Sequence, residues 1–169
     1  MRSVSIRPAL PSDAAAIAAI YSHYVVTSTA TFDTEPVTAE QRAAWLAERG
    51  PEHPVLVASS GGEVVAWGSL SPYAPRPAWG ATVEVGVYVD SAHVGTGIGS
   101  SMLAALVEEA RAAGHHAIIS RIVSENAASI AMAEKAGFER VGHLREVGRK
   151  FDRWLDVIVM EYLIAEAEE

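Results

Sequence analysis

The stretch V-Y-V-D-S-A-H-V-G-T-G-I-G-S, Val87 to Ser100, joins a predicted strand to a predicted helix through three glycines at alternate positions. Unpaired backbone N–H groups and the helix dipole make such a helix start favourable for anions. Gly95, Gly97 and Gly99 would let the backbone approach a phosphate closely, because glycine has no Cβ. The stretch therefore predicts a phosphate-binding loop. From these residues alone, a turn that merely connects strand to helix is an equally good interpretation.

The spacing of the glycines excludes two common nucleotide-binding motifs. A dinucleotide site has G-x-G-x-x-G in the first βα unit and an acidic residue about twenty positions later. Here the spacing is G-x-G-x-G in mid-chain, and Ser120 and Arg121 stand where that acid would be. No lysine follows the glycines, as the P-loop of nucleoside triphosphatases requires. The phosphate therefore belongs to another kind of ligand.

The sequence on both sides of the loop predicts an α/β domain with the order β-αα-βββ-α-β-α-ββ around one sheet. Ser12 and Thr38 are the expected N-caps of the first two helices, and Ser60-Gly61-Gly62 predicts a hairpin. The predicted strands are Val4–Arg7, Val55–Ser59, Glu63–Leu70, Ala81–Val89, Ala117–Val123, Glu139–Val147 and Trp154–Leu163, and the predicted helices run from Ser12 to Val26, Thr38 to Gly50, Gly97 to Ala113 and Ala127 to Ala136.

Composition narrows the class of function. The 169 residues, half of them hydrophobic, suit a single domain over 1–169, and no apolar run is long enough to span a bilayer. The net charge of −8 argues against a nucleic-acid partner and favours a small molecule. The six histidines show no ligand spacing, so no metal is expected. The absence of cysteine and of a signal peptide predicts a cytoplasmic location.

Two motifs resemble those of the GNAT acetyltransferases. The glycine stretch is similar to their cofactor-binding motif, and E-N-A-A-S-I-A-M-A-E-K-A-G-F, Glu125 to Phe138, is similar to their asparagine-led helix. Thr82–Val89 and Gly148–Asp156 resemble the branch that acetylates phosphinothricin and methionine sulfone or sulfoximine. The resemblance covers about Ile6 to Tyr162. It implies the GNAT fold, a mixed but mostly antiparallel sheet flanked by helices, with acetyl-CoA as co-substrate and a homodimer as the assembly.

The resemblance also implies where acetyl-CoA binds. The strand end would pair its backbone with the pantetheine arm, the loop amides would hold the pyrophosphate, and the asparagine-led helix would face the thiol. Val94 stands where the family usually has Gln or Arg, which predicts weaker phosphate binding by about 1 kcal/mol. The cofactor-binding residues implied are Val87, Tyr88, Val89, Val94, Gly95, Thr96, Gly97, Ile98, Gly99, Ser100, Asn126 and Ser129.

The same resemblance identifies Glu84 as the base that takes a proton from the attacking amine. Without the resemblance, a glutamate at the solvent face of a strand or in an ion pair is the better interpretation. Ala133 stands where the family has a tyrosine or histidine to assist the leaving thiolate. Water, or Tyr88, Ser124 or Ser129, would have to replace it.

Acceptor-binding residues are expected before the central strand and after the first helix. The resemblance places Arg76 to bind a carboxylate in a fork, although an exposed loop arginine is an equally good interpretation. Phe32, Tyr73 and Trp79 could form walls of the pocket or simply pack beside the loop. The predicted reaction is direct transfer of acetyl from acetyl-CoA to the primary amine of a small amino-acid-like molecule. Two alternatives remain: acetylation of a protein or peptide, and a non-catalytic acyl-CoA-binding module.

Overall fold

The computed structural model describes residues 3 to 165, which form one seven-stranded sheet in the order β1-β2-β3-β4-β5-β7-β6. Every neighbouring pair is antiparallel except β4 and β5, which are parallel. The strands are β1 Val4–Pro8, β2 Val55–Ser60, β3 Glu63–Pro72, β4 Thr82–Val89, β5 Ala117–Val123, β6 Glu139–Lys150 and β7 Arg153–Leu163, and the helices are α1 Ala14–Thr27, α2 Ala39–Ala47, α3 Ile98–Ala112 and α4 Ala127–Lys135. The predicted fold class and element order are confirmed.

The helices cover opposite faces of the sheet. Side chains of α1 and α2 pack with Trp67 and Tyr88 in one hydrophobic cluster. Those of α3 and α4 pack with Val83 and Val85 in the other, and Val87 lies against it. Because side chains alternate along a strand, Glu84 shares the α1/α2 face with Tyr88. The central strand β4 therefore presents a polar residue to one layer and valines to the other.

One predicted helix cap is confirmed and one is wrong. Thr38 caps α2, because its Oγ1 accepts from the N–H of Gln41 at 3.1 Å and Gln41 returns a bond to the N–H of Thr38. Ser12 does not cap α1. It lies in a 3-10 turn, and the adjacent Asp13 is instead held by Arg7 and by the N–H of Leu10.

The last two strands extend beyond the predicted bounds, β6 to Lys150 and β7 from Arg153. The turn between them is two residues long, and both Phe151 and Asp152 have positive φ, at 51° and 57°. That conformation matches the twist of a hairpin, although neither residue is the glycine or asparagine that would announce it. No helix within residues 3 to 165 is long and apolar enough to cross a membrane.

Candidate active site

The sheet opens between β4 and β5. These strands pair over Thr82–Glu84 and Ala117–Ile119 and then separate, while each stays paired with its other neighbour. The edge of Val85–Val89 that faces β5 is therefore open. An open strand edge can form main-chain hydrogen bonds with an extended ligand. The predicted backbone contacts of Val87 and Val89 lie on this edge.

The loop between β4 and α3 has a backbone that needs two of its glycines. Gly95 and Gly97 have φ of +79° and +86°, which residues with a Cβ rarely adopt. Nothing lies within 4 Å of the position where a Cβ would stand on either residue. Helical hydrogen bonding begins with the N–H of Ser101 on the carbonyl of Gly97, so the preceding amides of the first turn are not used inside α3. Open space in front of these amides fits a phosphate group.

Gly99 is glycine for another reason. A Cβ there would lie 3.1 Å from Met132 Sδ, so its absence lets α4 pack close to the start of α3. Thr96 and Ile98 can contribute only their backbones. The hydroxyl of Thr96 donates to the carbonyl of His93, and the side chain of Ile98 is buried in the core.

A cavity of 660 Å³ runs along this loop, and we call it the glycine-loop cleft. Tyr24, which no sequence motif indicated, also lines it and donates its hydroxyl to the carbonyl of Val89. Asn126 lies at the cleft as the N-cap of α4, where its Oδ1 accepts from the N–H of Ser129 at 3.2 Å. The cleft is lined by ten of the twelve residues predicted for the cofactor: Val87, Tyr88, Val89, Val94, Gly95, Gly97, Gly99, Ser100, Asn126 and Ser129.

A second cavity, of 470 Å³, adjoins the cleft, and we call it the Glu84 pocket. Its lining combines Glu84 and Trp67 from the α1/α2 face with Leu103 and Ala133 from the α3/α4 face. The pocket therefore passes through the sheet where β4 and β5 separate. Six residues line both cavities and mark the place where they meet: Ala30, Val87, Tyr88, Asn126, Ser129 and Met132.

Glu84 lies in this pocket beside a cation. Arg121 Nε is 2.6 Å from Glu84 Oε2, although the alignment of the two groups does not make a regular hydrogen bond. The contact with the Glu84 carboxylate raises the pKa of Arg121, so the guanidinium is charged at every accessible pH. The Glu84 side chain is 27% exposed and that of Arg121 54% exposed. A ligand in the pocket therefore meets a carboxylate and a guanidinium side by side.

The far end of the Glu84 pocket is an aromatic box around a buried cation. Arg42 is 8% exposed, and its Cζ lies 4.7 Å from the ring centre of Tyr21, 4.4 Å from that of Trp45 and 5.2 Å from that of Trp67. Burial lowers the pKa of Arg42. None of the ion pairs among residues 3 to 165 includes it. Cation–π contacts with these rings stabilise the Arg42 guanidinium in place of an ion pair with a carboxylate.

Tyr21 and Asp33 add hydrogen-bonding groups to this end of the pocket. The Tyr21 hydroxyl donates to Asp33 and lies 2.8 Å from Thr31 Oγ1. Burial raises the pKa of Tyr21 to about 12 and also raises the pKa of Tyr88. Both phenols are therefore neutral near pH 7. The acidic side chains of the pocket lining are Glu84 and Asp33.

The four residues predicted to hold the acceptor do not line either cavity. Arg76 is exposed on the loop after β3, where Tyr73 and Trp79 pack edge to face on each other with ring centres 5.2 Å apart. Phe32 lies over Gly148, so closely that a Cβ on that glycine would overlap its ring. Their proposed contacts with an acceptor stay predictions, without support from this arrangement.

Arg42, Arg121 and Asp33 were missed as pocket residues, although two of them carry a signal. Arg42 and Trp45 are three residues apart on a helix and so share one face. Arg121 interrupts the apolar run A-I-I-S-R-I-V of β5, which a buried strand rarely permits without a partner. Asp33 lies in an irregular segment whose path no local pattern reveals.

Two further predictions concern the leaving group and metals. Ala133 is 2% exposed and lines the Glu84 pocket, so no acidic side chain is present at that position of α4. Of the three proposed substitutes, Tyr88 and Ser129 line both cavities and Ser124 lines neither. Within residues 3 to 165, no three histidine, aspartate or glutamate side chains are grouped so as to hold a metal ion.

Comparison with known proteins finds acetyltransferases of similar sequence and similar fold. An L-methionine sulfoximine/L-methionine sulfone acetyltransferase of Pseudomonas aeruginosa is 42% identical over 161 residues, which are 94% of each chain. A phosphinothricin N-acetyltransferase of Streptomyces coelicolor is 37% identical, over 91% of this chain and 92% of that one. The structure of yncA from Salmonella typhimurium, solved with its cofactor acetyl-CoA, superposes with a TM-score of 0.94 at 36% identity and covers 98% of this chain and 96% of its own.

The family model described as an acetyltransferase (GNAT) domain matches residues 6–159, which include β4, the glycine loop and α4. Relatives aligned over more than 90% of their length, the family model and the common fold all indicate the same family. The chain belongs to the GNAT acetyltransferase family.

Proposed function

We propose that this protein transfers acetyl from acetyl-CoA to the primary amine of a small amino-acid-like molecule, of the phosphinothricin or methionine sulfone and sulfoximine type. The observation that carries the proposal is the meeting of the two cavities at the gap between β4 and β5. The phosphate-binding cleft and the pocket that contains the Glu84 carboxylate share six lining residues at this gap. This arrangement suits a reaction in which a thioester and an amine approach the same gap.

Each part of the site has a role in this proposal. The amides of Gly95 to Ser100 hold the pyrophosphate, and the open edge of Val87 and Val89 holds the pantetheine arm. Acetyl-CoA supplies the thioester: a bond forms between the amine nitrogen and the carbonyl carbon, and the carbon–sulfur bond breaks. Glu84 removes the proton that makes the amine an unreactive ammonium ion. The nitrogen gives up its second proton once it is bonded to carbon, and a water passes a proton to the departing thiolate, because Ala133 offers none. The corresponding thiol has a pKa near 8.5.

A small acceptor fits the pocket better than a peptide. The charged residues that line the Glu84 pocket supply two carboxylates and two guanidiniums, from Asp33, Glu84, Arg42 and Arg121. A site for a basic peptide would be predominantly acidic, whereas a zwitterionic amino acid needs groups of both signs. The names of the two relatives specify acceptors of that class.

The proposal is tested by mixing the purified protein with acetyl-CoA and a panel of amines while free thiol is measured. The panel contains methionine sulfone, methionine sulfoximine, phosphinothricin, a polyamine and a lysine-containing peptide. We expect turnover of the amino-acid analogues and much slower turnover of the polyamine and the peptide. Preference for the peptide, or no turnover of any amine, would refute the proposal.

Substituting Glu84 separates an enzyme from an acyl-CoA-binding module. Glu84→Gln keeps the shape of the side chain and should lower kcat/KM by about 100- to 10,000-fold, the usual contribution of a general base, with an unchanged Kd for acetyl-CoA. Glu108→Gln is the matched control, since Glu108 lies on the exposed side of α3 and pairs there with Arg111. Equal rates in both variants would remove Glu84 from the mechanism.

The proposal includes a homodimer in the cytoplasm, where acetyl-CoA must be available as co-substrate. Support for a dimer comes from apolar side chains on the β6–β7 hairpin that are more than 40% exposed: Val141, Leu144, Val147, Phe151 and Trp154. Apolar surface exposed on one hairpin is typical of an interaction surface when its side chains are contiguous. Light scattering on the eluting protein tests the assembly, and a monomeric mass at micromolar concentration would contradict it.

A further inference from the structure

We infer that Arg121 is the residue that binds the α-carboxylate of the acceptor, so that the Glu84–Arg121 pair forms a receptor for an α-amino acid. The inference rests on the proposed function and names the chemistry of its acceptor. It assigns a specificity role to a strand residue in place of Arg76, for which the sequence predicted that role.

The pair has the spacing that an α-amino acid requires. Glu84 and Arg121 lie on adjacent parallel strands where the strands begin to separate, with 2.6 Å between Oε2 and Nε. An α-amino acid carries its ammonium and carboxylate groups on one carbon atom, so receptors for the two groups must also be neighbours. An acceptor whose nitrogen is close to Glu84 therefore has its carboxylate beside Arg121.

Arg121 retains the groups needed for this contact. Its contact with Glu84 uses Nε, which leaves the fork of Nη1 and Nη2 for a carboxylate. The side chain is 54% exposed and lines the Glu84 pocket. The guanidinium is charged and can donate from that fork to both oxygens of a carboxylate.

Three other arginines near the site are less suitable. The guanidinium of Arg49 donates to the carbonyl of Leu70 and to Ser71 Oγ, so it is already used within the fold. Arg42 stacks over Trp67, which pairs with Tyr88, four residues beyond Glu84 on β4. At about 3.3 Å per residue, that displacement is roughly 13 Å, too far for the α-carboxylate of an amine held at Glu84. Arg42 therefore lies where the side chain of the acceptor would end. Arg76 is exposed and lines neither cavity.

The test compares one acceptor, methionine sulfone, with its α-amide, which keeps the amine and lacks the carboxylate. The wild type should prefer the free acid. Arg121→Gln should lower kcat/KM for the acid by about 10- to 100-fold, mostly through KM, because a charge-assisted fork is lost. For the amide, kcat/KM should change by less than about threefold. Arg140→Gln, which breaks a similar exposed pair with Glu134 outside both cavities, is the matched control.

Three results would overturn the inference. An equal loss for acid and amide in Arg121→Gln would mean that Arg121 only positions Glu84. Loss of the acid preference in Arg76→Gln would return the role to Arg76. A wild type that acetylates the acid and amide equally would mean that the carboxylate is not bound. Turnover of no amine at all is a different result, which would refute the proposed function itself.

Folding is monitored so that a loss of structure is not mistaken for a loss of contact. Arg121→Gln should bind acetyl-CoA with the affinity of the wild type. If that variant does not fold, Arg121→Lys answers the same question, because it keeps the positive charge and removes the planar fork. It should lower the acid-to-amide preference severalfold, and an unchanged preference would count against the inference.

Discussion

Replacing Gly97 by alanine tests whether the phosphate-binding loop depends on its backbone conformation. Gly97 precedes α3 with φ of +86°, and no atom lies within 4 Å of the position for a Cβ. The cost of the substitution therefore arises from the dihedral angle and not from a collision. A left-handed conformation costs a residue with a Cβ about 1 to 2 kcal/mol. In a domain of this size, each kcal/mol lowers Tm by about 2 to 4 °C.

Gly99→Ala is the matched control, since Gly99 lies two residues later inside α3. Its φ is helical, and alanine in a helix is favoured over glycine by up to about 1 kcal/mol. The added Cβ would meet Met132 Sδ at 3.1 Å, and this flexible side chain can move. We therefore expect Tm of Gly99→Ala to be unchanged or slightly raised, although both variants should bind acetyl-CoA less tightly because both positions line the cleft.

The assay is thermal unfolding without ligand, combined with calorimetric titration of acetyl-CoA. The reasoning requires opposite effects of the two substitutions on Tm and similar effects on Kd. If Gly97→Ala melted at the wild-type temperature and bound acetyl-CoA normally, the loop would not depend on a left-handed residue at position 97. The backbone cradle would then be refuted as the source of phosphate binding.

Three further substitutions probe other parts of the fold. Asp13→Asn should lower stability by about 1 to 2 kcal/mol at pH 7. The hydrogen-bonded Arg7 guanidinium lowers the pKa of the Asp13 carboxyl below its ordinary value of 3.8. The pair therefore stabilises the folded state above pH 3.8, and this stabilisation is lost as pH falls through the lower folded-state pKa. In acid, the urea unfolding curves of the variant and the wild type should therefore converge. Gly68→Ala places a Cβ 2.7 Å from Leu106 Cδ1 and should cost about 1 to 3 kcal/mol in the same assay. Trp154→Glu puts a charge in the exposed hairpin patch and should convert a dimer to a monomer in light scattering.

The sequence revealed those features that depend on neighbouring residues in the chain. The glycine spacing predicted the loop, and Gly95 and Gly97 have the positive φ that glycine permits. Hydrophobic periodicity predicted α3 and the central strand to within one or two residues. Thr38 caps its helix because its partner Gln41 is three residues away.

Features that depend on distant residues were not predictable in the same way. Arg121 meets Glu84, which lies 37 positions earlier in the chain, because of the register between β4 and β5, and no local pattern encodes that register. Ser12 has a capping side chain, but Arg7 and the nearby backbone hold Asp13 and begin the helix one residue later. Arg76 has the right chemistry, whereas the path of its loop keeps it outside the pocket.

The gap in the sheet also bears on whether acetyl is transferred directly. The thioester and the amine would meet among the residues that line both cavities. Two of those residues carry hydroxyl groups, Tyr88 and Ser129. Burial raises the pKa of Tyr88, which makes its phenolate rare. No histidine lines the Glu84 pocket, and His93, which lines the cleft, contacts Asp90 through Nδ1 and is not hydrogen-bonded to Ser129. Glu84 can act on the amine itself, so the described residues favour a single transfer from thioester to nitrogen over an acetylated enzyme.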